Sequence, residues 1–276
     1  GEEIRLPVHT ECLVLGGGMA GMTTALHVAD QGFHVIIVER EARLGGLLNR
    51  ISGIRTDQRP YDPQELVKAK ADAVDAHPHI TVCTNAQLQS VEGYIGNFKV
   101  TLLANGDEQT VNVSTVIVAT GMRERAPIGI YEEIDDPRVI TQLDFEQQMS
   151  EDTFQPPSSL VMIQCVGPAE KYCSRICCTT ALKNALNLKK IHPETDITIL
   201  YRDIRTYGFR EYLYKEAREA GIRFIRFEFD NKPEIDFGEQ LTVRIDDLML
   251  QREIHFHPDL VVLSTPLIPA SGTRDL

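Results

Sequence analysis

The sequence predicts an α/β protein of two Rossmann-like, three-layer domains, each a parallel sheet covered by helices and a β-meander. Two observations carry this. Near the N-terminus the chain reads strand, glycine-rich turn, helix, strand, acid, at the spacing of a dinucleotide-binding βαβ unit. The order of apolar strands, helices and short alternating strands in the first half then recurs in the second. The expected division is residues 1–125 as the dinucleotide-binding domain, 126–158 as a connection, and 159–270 as the second domain.

The elements follow from local pattern. Cys12-Leu-Val-Leu15 is a short apolar run of the kind buried in a parallel sheet, and Met22 to Asp30 reads as a helix. His34-Val-Ile-Ile-Val38 is the second strand and Ile80-Thr-Val-Cys83 the next. Between them a helix starts after Pro60 and runs to about His77, with Pro63 suited to its first turn. Residues 87–104 and 108–113 form a meander turned at Asn105-Gly106, and Val116–Thr120 returns to the sheet. Residues 122–158, rich in Pro, Asp and Glu, connect to a second series. That series is strand 160–165, helix 174–190, strand 197–201, helix 209–220, strand 222–227, meander 234–256 and strand 260–264.

The first βαβ unit is read as a nucleotide site. Gly16 permits a tight turn, Gly18 lets the backbone approach a pyrophosphate, and Gly21 lets helix and strand pack closely. Met19 and Ala20 open the helix, whose N-terminus receives the pyrophosphate. Glu39 is placed to accept from the adenosine ribose hydroxyls, with Arg40 beside it. Two later landmarks, Gly45-Gly46 and the strand end Ala119-Thr120-Gly121, look like accessory signatures of flavoproteins with two dinucleotide domains, and favour FAD. The second half offers no G-x-G-x-x-G after its first strand; Cys165-Val-Gly follows instead.

Four of the six cysteines, Cys165, Cys173, Cys177 and Cys178, fall within fourteen residues between that strand and the following helix. A helix starting near Tyr172 puts Cys173 and Cys177 on one face, with Cys178 one position round and Cys165 reaching back from the strand. Arg175 adds positive charge near that helix N-terminus. A four-thiolate iron–sulfur site, a redox dithiol with bystanders, and small buried hydrophobes are all consistent with this pattern.

Composition sets limits. The chain has 276 residues, 42% of them hydrophobic, enough for one large or two medium α/β domains. A net charge of −12 argues against nucleic acid and anionic membrane surfaces as partners. No apolar run spans a bilayer and no secretory signal pattern is present, so a cytoplasmic location is expected. Clustered cysteines suit a reducing compartment and a metal site better than a secreted disulfide frame. Cys12 and Cys83, in apolar strands, are expected to be buried and inert.

Several segments resemble the A subunit of heterodisulfide reductase and its relatives, the A subunits of quinone-interacting oxidoreductase complexes. They are Ile163-Gln-Cys-Val-Gly167, Tyr172-Cys-Ser-Arg-Ile-Cys-Cys178, Val91–Val100, Leu200–Arg205 and Asp259–Ser264, and the likeness spans about residues 10 to 270. The resemblance implies a thioredoxin-reductase-like FAD/NAD(P)-binding architecture and a [4Fe–4S] cluster on Cys165, Cys173, Cys177 and Cys178. It also implies that Lys183, five residues after the last cysteine, lies by the isoalloxazine; the rival expectation is a solvated helix lysine. Other redox subunits, iron–sulfur or quinone-linked, are the implied partners. Three departures stand out. The loop Gly167-Pro-Ala-Glu-Lys171 is short, no ferredoxin insert follows Lys99, and no Gly-Asp flavin segment precedes Leu276.

Weaker candidates remain. His255 and His257 alternate on one strand but lack a third ligand nearby; Arg202 and Arg205 follow a strand where a nucleotide phosphate is read; Arg123 and Arg125 follow Gly121. The expected function is flavin and iron–sulfur electron transfer within a larger complex. The alternatives are a pyridine-nucleotide disulfide oxidoreductase using a cysteine dithiol, and a non-catalytic assembly subunit that kept the fold.

Overall fold

A computed structural model describes residues 7–55, 60–125, 131–132, 134–167, 173–228 and 230–273. The chain divides into two compact units, one of Gly1–Ile51, Asp62–Arg123 and Pro269–Leu276, the other of Ser52–Tyr61 and Glu124–Ile268.

The first unit carries β1 (Cys12–Leu15), α1 (Met19–Ala29) and β2 (Val35–Val38). The chain then gives the short antiparallel pair β3 (Ile54–Arg55) and β4 (Pro60–Tyr61) to the second unit. Back in the first unit come α2 (Pro63–Asp75), β5 (Ile80–Cys83), the meander β6 (Ala86–Tyr94), β7 (Asn97–Ala104), β8 (Asp107–Val113), and β9 (Thr115–Val118). Strands β5-β2-β1-β9 form a parallel sheet in that order. Strand alternation builds its two faces. Cys12 and Val14 pack with Met22, Ala25 and Val74 of the helices, while Leu13 and Leu15 pack with Val100, Leu102 and Val113 of the meander. Asn105 and Gly106 both have positive φ, 52° and 93°, as a two-residue hairpin turn of the primed kind requires. At α2, the Asp62 side chain accepts from Gln64 N–H at 2.7 Å, capping the helix, and Pro63 fills its first position.

After β10 (Met122–Glu124), the second unit holds β11 (Val139–Thr141), α3 (Gln142–Met149), β12 (Ser159–Ile163), α4 (Cys177–Ile191) and β13 (Asp196–Tyr201). It continues with α5 (Glu211–Glu219), β14 (Arg223–Arg226), the meander β15 (Glu234–Asp236), β16 (Thr242–Asp247), β17 (Arg252–Phe256), then β18 (Leu260–Leu263) and β19 (Leu267–Pro269). Its parallel sheet runs β11-β18-β12-β13-β14, so β12 lies between β13 and β18 as β1 lies between β2 and β9. Leu160 and Met162 pack with Leu182, Ala185 and Leu213 on the helical face; Val161 and Ile163 pack with Val243 and Ile245 of the meander. Both sheets are therefore covered on both sides, which explains why their strands read as unbroken apolar runs.

The structure departs from the sequence reading in three places. The expected connection contributes a strand, β11, to the second sheet and a helix, α3, with Leu143 and Phe145 buried. Its acidic, proline-rich composition masked those two short elements; residues 126–130 and 133 of it lie outside the described residues. Helix α4 begins at Cys177, because Arg175 has a left-handed φ of 62° that cannot continue a helix, so Cys173 is not on it. Tyr172, where that helix was expected to start, lies outside the described residues. Finally, residues 269–273 return to the first unit, and 52–55 leave it, so the units are not continuous stretches of chain.

Leu182 is fully buried beneath the second sheet. Leu182→Ala is expected to lower stability by about 2–5 kcal/mol through the cavity it leaves. Met249→Ala, at a side chain 91% exposed, should stay within about 0.5 kcal/mol. Urea unfolding followed by far-UV circular dichroism distinguishes the two.

Candidate functional site

The first unit builds a site at the carboxyl ends of β1, β2 and β9. Gly16 has φ 107°, and a Cβ there would lie 2.3 Å from the Ala119 carbonyl oxygen; a Cβ on Gly21 would lie 1.8 Å from Gly16 O. Both glycines are forced by the protein's own close packing. Gly18 is different: its φ of −73° suits any residue, and a Cβ there meets nothing within 4 Å. Among the described residues that face of Gly18 is open space. Helix α1 starts on Gly18 with no side-chain cap and no acidic residue in its first turn, so the N–H groups around Met19 and Ala20 are left for another partner. Gly45 and Gly46 border the same turn. Gly45 N–H donates to Gly17 O at 2.9 Å, and a Cβ on Gly46 would come 3.3 Å from Gly18 Cα.

Glu39 is buried. Its Oε2 accepts from Gly17 N–H at 2.7 Å and its Oε1 from Glu41 N–H at 2.8 Å, which fixes the carboxylate while leaving lone pairs on each oxygen. Beside it opens a cleft of about 380 Å³, lined by Gly16, Glu39, exposed Arg40, Gln87, Thr120 and residues 270–273 among others. Thr120 Oγ1 and Thr273 Oγ1 bond at 2.9 Å, and Gly121 O accepts from Ala270 N–H at 3.2 Å. The structure thus gathers every nucleotide-site residue read from the sequence into one unit. Sequence reasoning missed Gln87 and residues 270–273, which reach the cleft only through the meander and the returning chain; no local pattern marks them.

In the second unit the loop between β12 and α4 occupies the position that the glycine turn holds between β1 and α1. Cys165, Cys173, Cys177 and Cys178 line one small cavity of about 40 Å³, together with Gln164, Arg175, Arg202 and Arg205. Cys177 and Cys178 open α4. Cys165 has a left-handed φ of 59°, unfavourable for a side chain bearing Cβ, which turns the chain away from the sheet. Residues 168–172 of this loop lie outside the described residues.

Burial pushes the thiols of Cys165 and Cys177 above the ordinary range, and Cys178 to about 12, with the neighbouring sulfurs adding to the rise. Backbone groups of Arg202 and Asp203 at Cys165, of Arg205 at Cys178, and the Ser174 side chain at Cys177 oppose it. Cys177 Sγ lies 2.8 Å from Ser174 Oγ and 3.6 Å from Thr265 O; Cys178 Sγ lies 3.6 Å from Asp203 O. All six cysteines are free thiols. Among the described residues, no three His, Cys, Asp or Glu side chains are drawn close enough together to hold a metal ion. The four sulfurs share a cavity without converging on one point in it.

Lys183 is 7% exposed, not solvated. Its Nζ donates to Glu146 Oε1 at 2.5 Å and to Gly53 O at 3.1 Å, and Ser52 N–H donates to the same Glu146 oxygen at 2.7 Å. Burial lowers the lysine's pKa, and Glu146 offsets part of that. Glu146, 1% exposed, was not anticipated; a lone acid on a short helix carries no sequence signal.

The remaining candidates fall away or move. His255 pairs with Glu253 at 2.5 Å and His257 with Thr242 at 3.1 Å, both on exposed positions. Arg202 and Arg205 border the cysteine cavity, Arg205 in an ion pair with Asp203 at 3.0 Å. Arg123 is exposed and Arg125 half-buried. Cys12 is buried as expected, whereas Cys83 is half-buried; burial raises the pKa of both thiols. Among the described residues, no helix is long and apolar enough to cross a membrane.

Removing one partner of the buried pair leaves the other charge uncompensated. Lys183→Met is expected to destabilise the protein by about 3–5 kcal/mol, and adding Glu146→Leu should restore most of the loss. Guanidinium unfolding of the single and double variants reads this directly.

Residues 10–163 match the family model described as pyridine nucleotide-disulphide oxidoreductase. The A subunit of the ferredoxin:CoB-CoM heterodisulfide reductase of Methanosarcina acetivorans is 27% identical over 411 aligned residues, covering 100% of this chain and 50% of its own. The iron-sulfur A subunit of the CoB–CoM heterodisulfide reductase of Methanocaldococcus jannaschii is 27% identical, covering 95% of this chain and 54% of its own. The chain thus spans about half the length of the curated relatives it matches. Thioredoxin reductase of T. acidophilum shares its fold, with TM-score 0.64, 19% identity, and coverage of 95% of this chain and 79% of that one. The sequence match and the thioredoxin-reductase-like fold agree with the residue reading, and the chain belongs to the pyridine nucleotide-disulphide oxidoreductase family, where it is similar to the A subunit of heterodisulfide reductase.

Proposed function

We propose that this chain is an FAD- and [4Fe–4S]-dependent electron-transfer module of a multisubunit, heterodisulfide reductase A-like oxidoreductase. The observation that carries the reading is the gathering of Cys165, Cys173, Cys177 and Cys178 around one cavity at the end of β12. Thiols are the donor set that iron–sulfur clusters use. The buried, unbonded amide of Gln164 and the arginines at the rim suit an anionic occupant. For FAD, the supporting observations are the open face of Gly18, the uncapped start of α1 and the fixed Glu39 carboxylate beside the cleft.

When bound, a flavin exchanges an electron pair and a four-iron cluster a single electron, so together they link two-electron and one-electron carriers. The protein's part is to hold pyrophosphate on backbone N–H groups, orient the ribose with Glu39, and exclude water from the sulfurs by burial. Lys183 is the flavin-tuning cation of this reading, a role that rests on the resemblance. Other redox subunits, iron–sulfur or quinone-linked, are the proposed partners. The M. jannaschii relative is named as an iron-sulfur protein, which supports the cluster.

Two experiments test this. Gly18→Val keeps a permitted backbone but fills the open face, so the folded variant is expected to lose the visible FAD absorbance after gel filtration. Retention of wild-type FAD overturns the nucleotide assignment. Cys173→Ser or Cys177→Ser should each remove most iron and acid-labile sulfide from anaerobically reconstituted protein, since a hydroxyl is a harder, poorer ligand. Wild-type protein that binds flavin but no iron points to the cysteine-dithiol oxidoreductase. Protein that binds neither points to an assembly role.

A further inference from the structure

Gln164 ends the run Leu160–Ile163, whose four residues are all buried and apolar. It is itself 1% exposed, and its backbone N–H extends the sheet by donating to Leu200 O at 2.8 Å. Its side-chain Oε1 and Nε2 have no hydrogen-bond partner. The other buried side-chain amide donors of the described residues are engaged: Gln142 Nε2 with Ser264 Oγ at 3.1 Å, and Asn184 Nδ2 with Gln142 Oε1 at 2.9 Å. An unbonded buried amide costs about 1–3 kcal/mol, and an apolar residue would extend the strand without that penalty. Gln164 lines the cavity shared by Cys165, Cys173, Cys177 and Cys178. The residue with the unmet donor and the four cysteines therefore border the same space.

We propose that Gln164 Nε2 donates a hydrogen bond to a sulfur of the cluster held by these cysteines and thereby raises its reduction potential; this rests on the cluster reading above. The physics is direct. A reduced cluster carries one more negative charge than an oxidised one, so an N–H···S bond strengthens on reduction and favours the reduced form. Backbone groups of Arg202 and Asp203 reach Cys165, and one of Arg205 reaches Cys178. Gln164 is the side-chain donor from the strand. It is a tuning residue, not a ligand.

The test uses the reconstituted chain with Gln164→Met, which keeps side-chain length and removes the donor, and Gln164→Leu. Iron and sulfide are measured first, then the cluster midpoint by redox titration followed by electron paramagnetic resonance. The expected result is full iron content with a midpoint shifted lower, by up to tenfold in the reduction equilibrium, which is about 59 mV for one electron. An unchanged midpoint with the cluster retained overturns the proposal and leaves the cluster reading standing; a wild-type chain without iron overturns that reading instead. Should both variants lose the cluster, wild-type protein grown with side-chain 15N-glutamine decides by pulsed resonance of the reduced cluster. A 15N coupling supports the bond, and its absence overturns it.

Discussion

Covering a parallel sheet on both faces leaves one kind of place where backbone polar groups and concave space remain, the loops at the carboxyl ends of its strands. The glycine turn and the cysteine cluster both lie in those loops. In the first unit helices α1 and α2 close one face and the β6-β7-β8 meander the other. The turn after β1 then holds the uncapped N–H groups and the open face of Gly18. In the second unit the same layering leaves the loop after β12, and there the sequence places cysteines instead of glycines. One architecture thus presents two chemistries, because the sheet dictates where the site is and the loop dictates what it holds.

The two loops meet that position under different strains. Gly16 and Gly21 are required by contacts with Ala119 O and with each other, contacts no Cβ would survive. Around β12 the chain bends with side chains in place: Cys165 and Arg175 both adopt left-handed φ, at 59° and 62°. Such residues cost of order 1–3 kcal/mol each unless the surroundings offset it. Burial raises the pKa of three of the thiols, Cys178 to about 12, and so keeps them neutral. Neutral thiols are buried at no electrostatic cost, so the left-handed bends at Cys165 and Arg175 are the feature of this loop that its own burial does not explain.

How much of this was legible follows from which signals are local. The glycine turn, Glu39, Gly45-Gly46 and Ala119-Thr120-Gly121 announce themselves because each serves a backbone constraint written in a few consecutive residues. The apolar strands were readable for the same reason. The start of α4 was not, since the helical pattern of Thr179–Lys190 extends backwards on paper through Cys173, and only the left-handed Arg175 stops it. Strand β11 and helix α3 hid behind acidic, proline-rich neighbours. Glu146 and residues 270–273 owe their positions to tertiary return of the chain, which leaves no period in sequence. Gln164 stood in plain view as a polar residue ending an apolar strand, yet its meaning needs the absence of any partner.

Lys183 shows how far position alone misleads. By spacing it is an ordinary lysine a turn and a half into α4, comparable with Lys189 or Lys190. In the structure it is sealed in against Glu146, with Ser52 and Gly53 completing the shell. Taking both charges out of water is expensive, and pairs of apolar residues of similar volume are often at least as stable. A fold under selection for stability alone has no need of this pair. Desolvation pulls the lysine toward neutrality and Glu146 opposes that pull. The same helix that opens on Cys177 and Cys178 therefore also carries a buried lysine whose burial is offset by a buried carboxylate.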